Sequence, residues 1–156
     1  MKSAVFIGHN ECYGLSVDEL NKVIIECINN GVTQFLSGGH GNFDRTCATA
    51  VFKLKENFPK IKNILVIPYL SFNVFNNDIF DEIIYPDDFE KYHFKEAIPQ
   101  RNKYMVNYSD VAICYILHTW GNAAKTYEFA KRKKLKIINL GADNKQPPTA
   151  DSITVL

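Results

Sequence analysis

The sequence predicts an α/β fold in which one mainly parallel sheet is covered by helices on both faces. Segments typical of strands and of helices alternate along the 156 residues, and the strand interiors are apolar throughout. With 46% hydrophobic residues, the chain is long enough for one substantial core and too short for two ordinary domains. We therefore expect a single domain over residues 1–156, with an irregular tail from about residue 141.

The opening segment predicts the first strand and the first helix. Residues 4–7 are an apolar run that ends at Gly8, which is typical of a short strand. Ser16 and Glu19 form an S-x-x-E capping box, and apolar residues then recur at helical spacing until Gly31 closes the segment. This order of strand, loop and helix is the opening of a βαβ unit.

The second and third strands are predicted at residues 32–36 and 62–68, which are both rich in apolar residues. The third contains an uninterrupted apolar run, typical of a strand that is buried on both faces. Between them, the spacing of apolar residues predicts a helix over about residues 44–56. Residues 69–95 are irregular, aromatic and rich in Asn and Asp, so we expect a lid or substrate loop there with a short strand at residues 82–85.

The rest of the chain completes a Rossmann-like three-layer sandwich. A helix is expected after Pro99 through Met105, followed by a buried strand at residues 111–116, a helix at residues 123–133 and a final strand at residues 136–140. In open sheets of this class, ligands bind beyond the carboxyl ends of the strands, where the strand order reverses. We therefore expect a ligand site at that edge of the sheet.

Two glycine-rich turns each follow an apolar strand and run straight into a helix. They are residues 37–44, SGGHGNFD, and residues 118–128, HTWGNAAKTYE. Small residues at such a turn let backbone N–H groups approach an anion closely, and the helix N-terminus adds its partial positive charge. Because both turns lie at the carboxyl edge of the predicted sheet, we expect them to form one anion cradle. The sequence therefore predicts a nucleotide or nucleotide-derived ligand.

The residues expected to contact this ligand follow the first, second and fifth strands. They are Gly8, His9, Ser37, Gly38, Gly39, His40, Asp44, Trp120, Gly121, Asn122, Ala123, Ala124, Lys125 and Thr126. Asp44 suits a contact to a ribose hydroxyl or an N-cap of its helix. Trp120 suits stacking on a base or packing in the core, and Lys125 suits a bound phosphate or plain exposure to solvent. His9 and His40 suit ligand contacts or surface polar roles.

The charge and hydropathy of the chain argue against nucleic acid and membranes as partners. The formal net charge is +1 and 22% of the residues are charged, so no global field draws the chain to polyanions. The basic run at residues 131–134 suits the last turn of a helix as well as a nucleic-acid patch. No apolar run approaches the roughly 20 residues that span a bilayer, and the start is too short in its apolar part for a secretory signal. We expect a cytoplasmic protein.

No metal site and no cofactor are predicted. The four histidines and four cysteines show no H-x-x-x-H, C-x-x-C or mixed ligand spacing. The cysteines are expected to be reduced and partly buried thiols, which again fits a cytoplasmic protein.

Three motifs in order along the chain carry a family resemblance. Residues 37–44 resemble the S-G-G-x-x-G-I-D turn of DNA-processing protein A, and residues 121–128 look like the P-G-G-x-G-T-x-x-E motif of the Lonely Guy phosphoribohydrolases. Between them, residues 101–110 are similar to the segment in which those families carry an R-K or R-N pair. Over roughly residues 4–140, the chain therefore resembles the SLOG superfamily, to which both families belong.

The resemblance to the Lonely Guy enzymes implies cleavage of the N-glycosidic bond of a nucleoside monophosphate. The matching catalytic residues would be Arg101 and Glu128, with Asn102 beside the ligand. Cleavage develops positive charge on the sugar ring, which a carboxylate stabilises, and an arginine supplies a planar fork for a phosphate or for orienting that carboxylate. From the residues alone, without the resemblance, a solvated helix position is the favoured interpretation of Glu128.

Two further functions stay open beside the enzyme. The second motif departs from the family pattern at Trp120, Asn122, Ala124 and Lys125, which favours a non-catalytic module that senses or sequesters a nucleotide-derived signal. The resemblance implies this role too, because the superfamily also serves in bacterial and phage conflict systems. Single-stranded DNA binding, by analogy with DNA-processing protein A, ranks last because the charge is nearly neutral. The resemblance also implies a homo-oligomer, since the related enzymes build their sites near dimer interfaces.

Overall fold

The computed structural model describes residues 2–141, and the tail predicted after residue 141 lies outside them. Within these residues, the strands are β1 (Lys2–Gly8), β2 (Val32–Ser37), β3 (Lys62–Val66), β4 (Glu82–Ile84), β5 (Val111–Tyr115) and β6 (Lys136–Asn139). The helices are α1 (Val17–Asn29), α2 (Asn42–Leu54), α3 (Phe94–Asn107) and α4 (Asn122–Arg132). None of these helices combines the length and the apolar character needed to cross a membrane.

The six strands form one sheet in the order β4-β3-β2-β1-β5-β6, and every neighbouring pair is parallel. The chain steps outward from β1 to β4 on one side and then crosses to β5 and β6 on the other. The strand order therefore reverses between β1 and β5. This arrangement confirms the predicted Rossmann-like sandwich and identifies the edge at which a ligand is expected.

Alternate residues of β1 point into two separate cores. Ala4 and Phe6 pack in the core that contains the inner faces of α1 and α2, whereas Val5 and Ile7 pack in the core that contains α3 and α4. Side chains alternate between the two faces of a strand, so a central parallel strand must be apolar on both. The sheet is thus the middle of three layers, and its central strands form a rigid base for the residues that follow them.

The helix boundaries follow local signals, and the largest difference from the sequence prediction is at the start of α3. Ser16 caps α1 as predicted, since its hydroxyl accepts a hydrogen bond from the Glu19 N–H at 3.2 Å. However, α3 begins at Phe94 rather than after Pro99, which lies inside the helix. The carbonyl of Lys95 has no helical N–H partner at Pro99 because proline has no N–H, and Lys95 is an exposed residue. The His93 cap and the buried Ala97 stabilise the added turn.

Candidate functional site

A cavity of about 380 Å³ opens at the carboxyl ends of β1 and β5, where the strand order reverses. Most of the residues expected to contact a ligand line it: Gly8, His9, His40, Asp44, Arg101, Asn102, Trp120, Gly121, Asn122, Ala123 and Thr126. Both glycine-rich turns therefore open on the same space. This follows from the parallel sheet, because the carboxyl ends of all its strands lie along one edge.

Six other expected residues do not line this cavity. Ser37, Gly38 and Gly39 lie beneath it, where Ser37 is fully buried at the end of β2. Ala124, Lys125 and Glu128 line a second depression, which lies between α3 and α4. Thr126 lines both this depression and the cavity, whereas Glu128, two residues later and about 200° around the helix, lines the depression alone. The structure does not bring Glu128 together with Arg101.

Arg101 is the most deeply buried charged residue of the site, with 2% of its surface exposed. Its Nη1 donates hydrogen bonds to the carbonyls of Gly38 at 2.8 Å and Val66 at 2.9 Å, and its Nε donates to the Oδ1 of Asn102 at 2.9 Å. None of the hydrogen bonds within residues 2–141 involves Nη2. The guanidinium is thus oriented by three protein acceptors, while the Nη2 donors stay unused within residues 2–141.

The glycines of the first turn position Arg101 instead of touching the cavity. A Cβ atom on Gly38 would lie 2.7 Å from the guanidinium carbon of Arg101, so only glycine allows this close approach. Gly39 has a φ of +66° and turns the chain above Leu65. The first turn therefore acts as a backbone platform for a buried cation. The small residues of this motif pack against the arginine and Leu65 and do not line the cavity.

Asp44 is buried in the same cavity wall as Arg101. It is the third residue of α2, whose N-cap is Gly41, so the expectation that Asp44 itself caps the helix is wrong. Its carboxylate reaches back and accepts a hydrogen bond from the His40 N–H at 3.1 Å. Burial raises the pKa of Asp44 from its usual 3.8 to about 6, and the His40 N–H and the nearby Arg101 limit this rise. The burial of Arg101 lowers its own pKa to about 10.

The two turns have nearly the same backbone dihedral angles at the start of the helix, but they differ in whether the helix N-terminus is accessible. Gly41 has φ 89° and ψ 172°, and Gly121 has φ 93° and ψ 170°. A Cβ atom on Gly41 would lie 2.5 Å from the Cα of Asn10. The Asn42 N–H donates to the Asn10 carbonyl at 2.9 Å, so the loop after β1 closes the N-terminus of α2. Nothing lies within 4 Å of the same point on Gly121, and no side chain caps α4. The N-terminus of α4 is therefore open to an anion.

Three stacked rings form one wall of the cavity. The ring of His118 lies between those of His9 and Trp120, with centroids 3.7 Å apart in both pairs. The Nε2 of His9 accepts a hydrogen bond from the Leu117 N–H at 2.9 Å, which fixes the neutral tautomer. Burial and the neighbouring His118 lower the pKa of His9. Trp120 ends the stack with 69% of its surface exposed, so one side of this stack is available to a planar ligand.

His118 is a polar cavity residue that is absent from the predicted contact residues. It lies in the second turn and lines the cavity between two predicted contact residues. Its Nδ1 is buried and has no hydrogen-bond partner within the described part of the chain. Its position in the sequence could have identified it as a cavity residue. His118 follows β5 and His9 follows β1, and these two strands are adjacent and parallel.

Comparisons with known proteins agree with this architecture. Residues 5–139 match the YpsA sequence profile, described as the YspA SLOG family. A UPF0398 protein of Levilactobacillus brevis is 24% identical over 126 residues, which cover 74% of this chain and 67% of that protein.

Solved structures of DNA processing protein A share the fold. The protein of Streptococcus pneumoniae matches with a TM-score of 0.64 and 17% identity, covering 92% of this chain and 54% of that one. The protein of Helicobacter pylori, which binds single-stranded DNA, matches with a TM-score of 0.61 and 17% identity, covering 87% of this chain and 63% of that one. This chain thus spans about half to two thirds of these proteins. The profile match extends over both glycine-rich turns and the buried arginine between them, and the chain belongs to the YpsA family of SLOG proteins.

Proposed function

We propose that this chain binds a nucleotide or nucleotide-derived ligand in the cavity between β1 and β5. The observation that carries the proposal is the buried Arg101, whose guanidinium is held by three protein acceptors in a cavity that also contains the open N-terminus of α4. A buried cation with an unused nitrogen and a helix N-terminus both favour an anionic group. The volume of about 380 Å³ lies within the range of small-molecule sites, roughly 300–1,000 Å³.

The lining residues suit the three parts of a nucleotide. A phosphate is placed between Arg101 and the first backbone N–H groups of α4, where Gly121 leaves room. The carboxylate of Asp44 accepts a hydrogen bond from a ribose hydroxyl. The exposed ring of Trp120, supported from behind by His118, stacks on the base. The family membership supports a ligand of this class.

Binding and the role of Trp120 are tested together by thermal unfolding with a panel of nucleoside monophosphates. We expect a ligand present at a hundredfold excess over its Kd to stabilise the protein by about 2.7 kcal/mol. Trp120→Ala is expected to weaken binding about tenfold, since stacking on a base is worth about 1–3 kcal/mol, with little change in the stability of the free protein. Tyr13→Ala, which removes an exposed aromatic ring away from the cavity, is the control. A panel that never shifts the melting temperature would rule out the proposed ligand class.

Hydrolysis at the N-glycosidic bond is the second candidate function, and Asp44 is the observation that favours it. Its buried carboxylate, with a pKa of about 6, lies in the cavity wall near Arg101. Such a group stabilises the positive charge that develops on the sugar as the bond to the base breaks. Water then adds to the sugar carbon, and the products are the free base and ribose 5-phosphate. The carboxylate of Glu128 is exposed and pairs with Lys131 at 3.3 Å.

Incubation with nucleoside monophosphates and chromatography for free base test this chemistry. We expect Asp44→Asn to slow any base release about 10²–10³-fold and Glu128→Gln to leave the rate unchanged, because Glu128 does not line the cavity. Slower base release by Glu128→Gln, with an unchanged rate for Asp44→Asn, would support the role that the Lonely Guy resemblance implies for Glu128. Recovery of bound nucleotide intact, with no base released, would establish a sensor or sequestering module in place of an enzyme.

A further inference from the structure

A second depression lies beside the cavity, in a groove between α3 and α4. We name it the α3–α4 groove, and its volume is about 380 Å³. Asn122 and Thr126 line both the groove and the cavity. The two spaces are therefore neighbours at the first turn of α4, where the helix N-terminus is open. A ligand that fills the cavity reaches the groove by extending past these two residues.

The charge of the α3–α4 groove is positive. Lys103, Lys125 and Arg132 line it, and its only lining carboxylate within the described residues is Glu128. Glu128 pairs with Lys131, and none of the ion pairs found in residues 2–141 involves the three lining cations. Residues 125–136 carry six basic side chains and one acidic one, although the whole chain has a net charge of only +1. The positive charge is thus concentrated along α4 and the segment that follows it.

The ring of Phe129 lies close to two of the lining cations, Lys103 and Arg132, and to the neighbouring Lys133. The Nζ of Lys103 lies 5.7 Å from the ring centroid, the Cζ of Arg132 lies 5.8 Å from it and the Nζ of Lys133 lies 5.4 Å from it. Cations over an aromatic face are attracted to it, but they also repel one another. Because one carboxylate already engaged with Lys131 does not neutralise them, a bound anion would lower the electrostatic energy of the cluster.

We propose that the α3–α4 groove is a second anion subsite, which takes a further phosphate of an elongated ligand whose first phosphate lies at Arg101. This proposal rests on the proposed nucleotide-binding function and names its ligand class: a nucleotide with at least two phosphates, either a nucleoside diphosphate or two nucleosides joined by a pyrophosphate. The shared lining at Asn122 and Thr126 makes one continuous small molecule the occupant. The near-neutral charge of the chain as a whole does not provide the broad basic surface that a long nucleic acid requires.

Calorimetric titration of the whole chain with three adenine and three guanine probes tests this inference. The probes are the nucleoside monophosphates, the nucleoside diphosphates and the symmetric dinucleoside diphosphates. The test variant is Lys103→Gln/Lys125→Gln/Arg132→Gln, which removes the three lining cations. The matched control, Lys22→Gln/Lys53→Gln/Lys60→Gln, removes three exposed lysines that line neither the groove nor the cavity.

We expect the wild type to bind a two-phosphate probe at least tenfold more tightly than the monophosphate of the same base. The groove variant is expected to lose this preference while its monophosphate affinity stays within about threefold of wild type, and the control is expected to keep the preference. Tighter binding of the nucleoside diphosphate than of the dinucleotide would place a terminal phosphate in the groove. Tighter binding of the dinucleotide would place a bridging pyrophosphate there.

Equal affinity of the wild type for one and two phosphates, or a preference that survives in the groove variant, would overturn the second subsite and leave nucleotide binding intact. Failure of every probe to bind would overturn both proposals. A ten-residue thymidine oligonucleotide completes the set. Tighter binding of this oligonucleotide than of any dinucleotide, lost in the groove variant and falling steeply with salt, would show that the groove serves nucleic acid and would contradict the proposal.

Discussion

Replacement of Arg101 by methionine is expected to weaken nucleotide binding at least a hundredfold and to lower the free energy of unfolding by about 3 kcal/mol at pH 8. The variant would leave the carbonyls of Gly38 and Val66 without the guanidinium that now donates to both. It would also remove the cation that favours the ionised form of the buried Asp44. Removal of the guanidinium leaves the other buried polar groups without their hydrogen-bond or charge partner. The expected loss in the free energy of unfolding is therefore large.

Urea unfolding and nucleotide titration measure these two effects. Arg45→Met is the matched control because Arg45 is exposed on α2 and lines no part of the cavity, so it should change neither property by much. Arg101→Lys keeps the charge but loses the planar fork, and we expect it to fold with intermediate stability and still bind poorly. Adding Asp44→Asn to Arg101→Met should recover part of the lost stability at pH 8. An Arg101→Met protein as stable as wild type would show that the guanidinium is not a buried bridge.

The arrangement of strands and turns was predictable because it depends on patterns that are local in sequence. Apolar runs and helical spacing located the elements, and a parallel sheet brings the residues after every strand to one edge. Gly8, His40 and Gly121 therefore line one cavity although they are far apart in the chain. The family motifs add the arginine between them. These predictions require no knowledge of how any side chain packs.

The roles of individual residues within the turns were not predictable in the same way. Both turns contain a glycine with positive φ at the helix start, and their sequences gave no reason to treat them differently. Only the packing of Asn10 against Gly41 closes one helix N-terminus and leaves the other at Gly121 open. That contact joins residues of different turns, so no local pattern encodes it. The same holds for Gly38, whose role depends on Arg101 lying against it.

The position of Glu128 shows how sensitive a motif is to helix phase. A shift of two residues along α4 turns a side chain by about 200°. Thr126 lines both the cavity and the α3–α4 groove, whereas Glu128 lines the groove alone. The family motif places a carboxylate at this sequence position. In this chain, Asp44 is the buried carboxylate of the cavity, and it comes from the other turn. A catalytic role that is assigned to a residue from a single motif must therefore be checked against the residues that surround it in the structure.

Asp44→Asn is expected to stabilise the protein at pH 8 and to weaken nucleotide binding. The pKa of Asp44 rises from its usual 3.8 to about 6 on folding, so the folded state holds the proton more tightly than the unfolded state. The stability contributed by this proton is complete below about pH 4 and is lost as the pH rises through about 6. The loss amounts to about 3 kcal/mol, since one pKa unit corresponds to about 1.36 kcal/mol. Asparagine keeps the acceptor for the His40 N–H without the charge.

Unfolding in urea at a series of pH values from 4 to 8 tests this expectation. Wild type and Asp44→Asn should have similar stability near pH 4, and the variant should become more stable by about 3 kcal/mol at pH 8. Asp87→Asn, at an exposed carboxylate, is the control and should follow the wild-type curve. Parallel curves for wild type and Asp44→Asn would contradict the buried, proton-binding carboxylate described here. The ionised Asp44 destabilises the folded protein at neutral pH, and its proposed role in ligand binding explains why the chain carries it. We therefore expect the Asp44→Asn variant to gain stability and to lose nucleotide affinity.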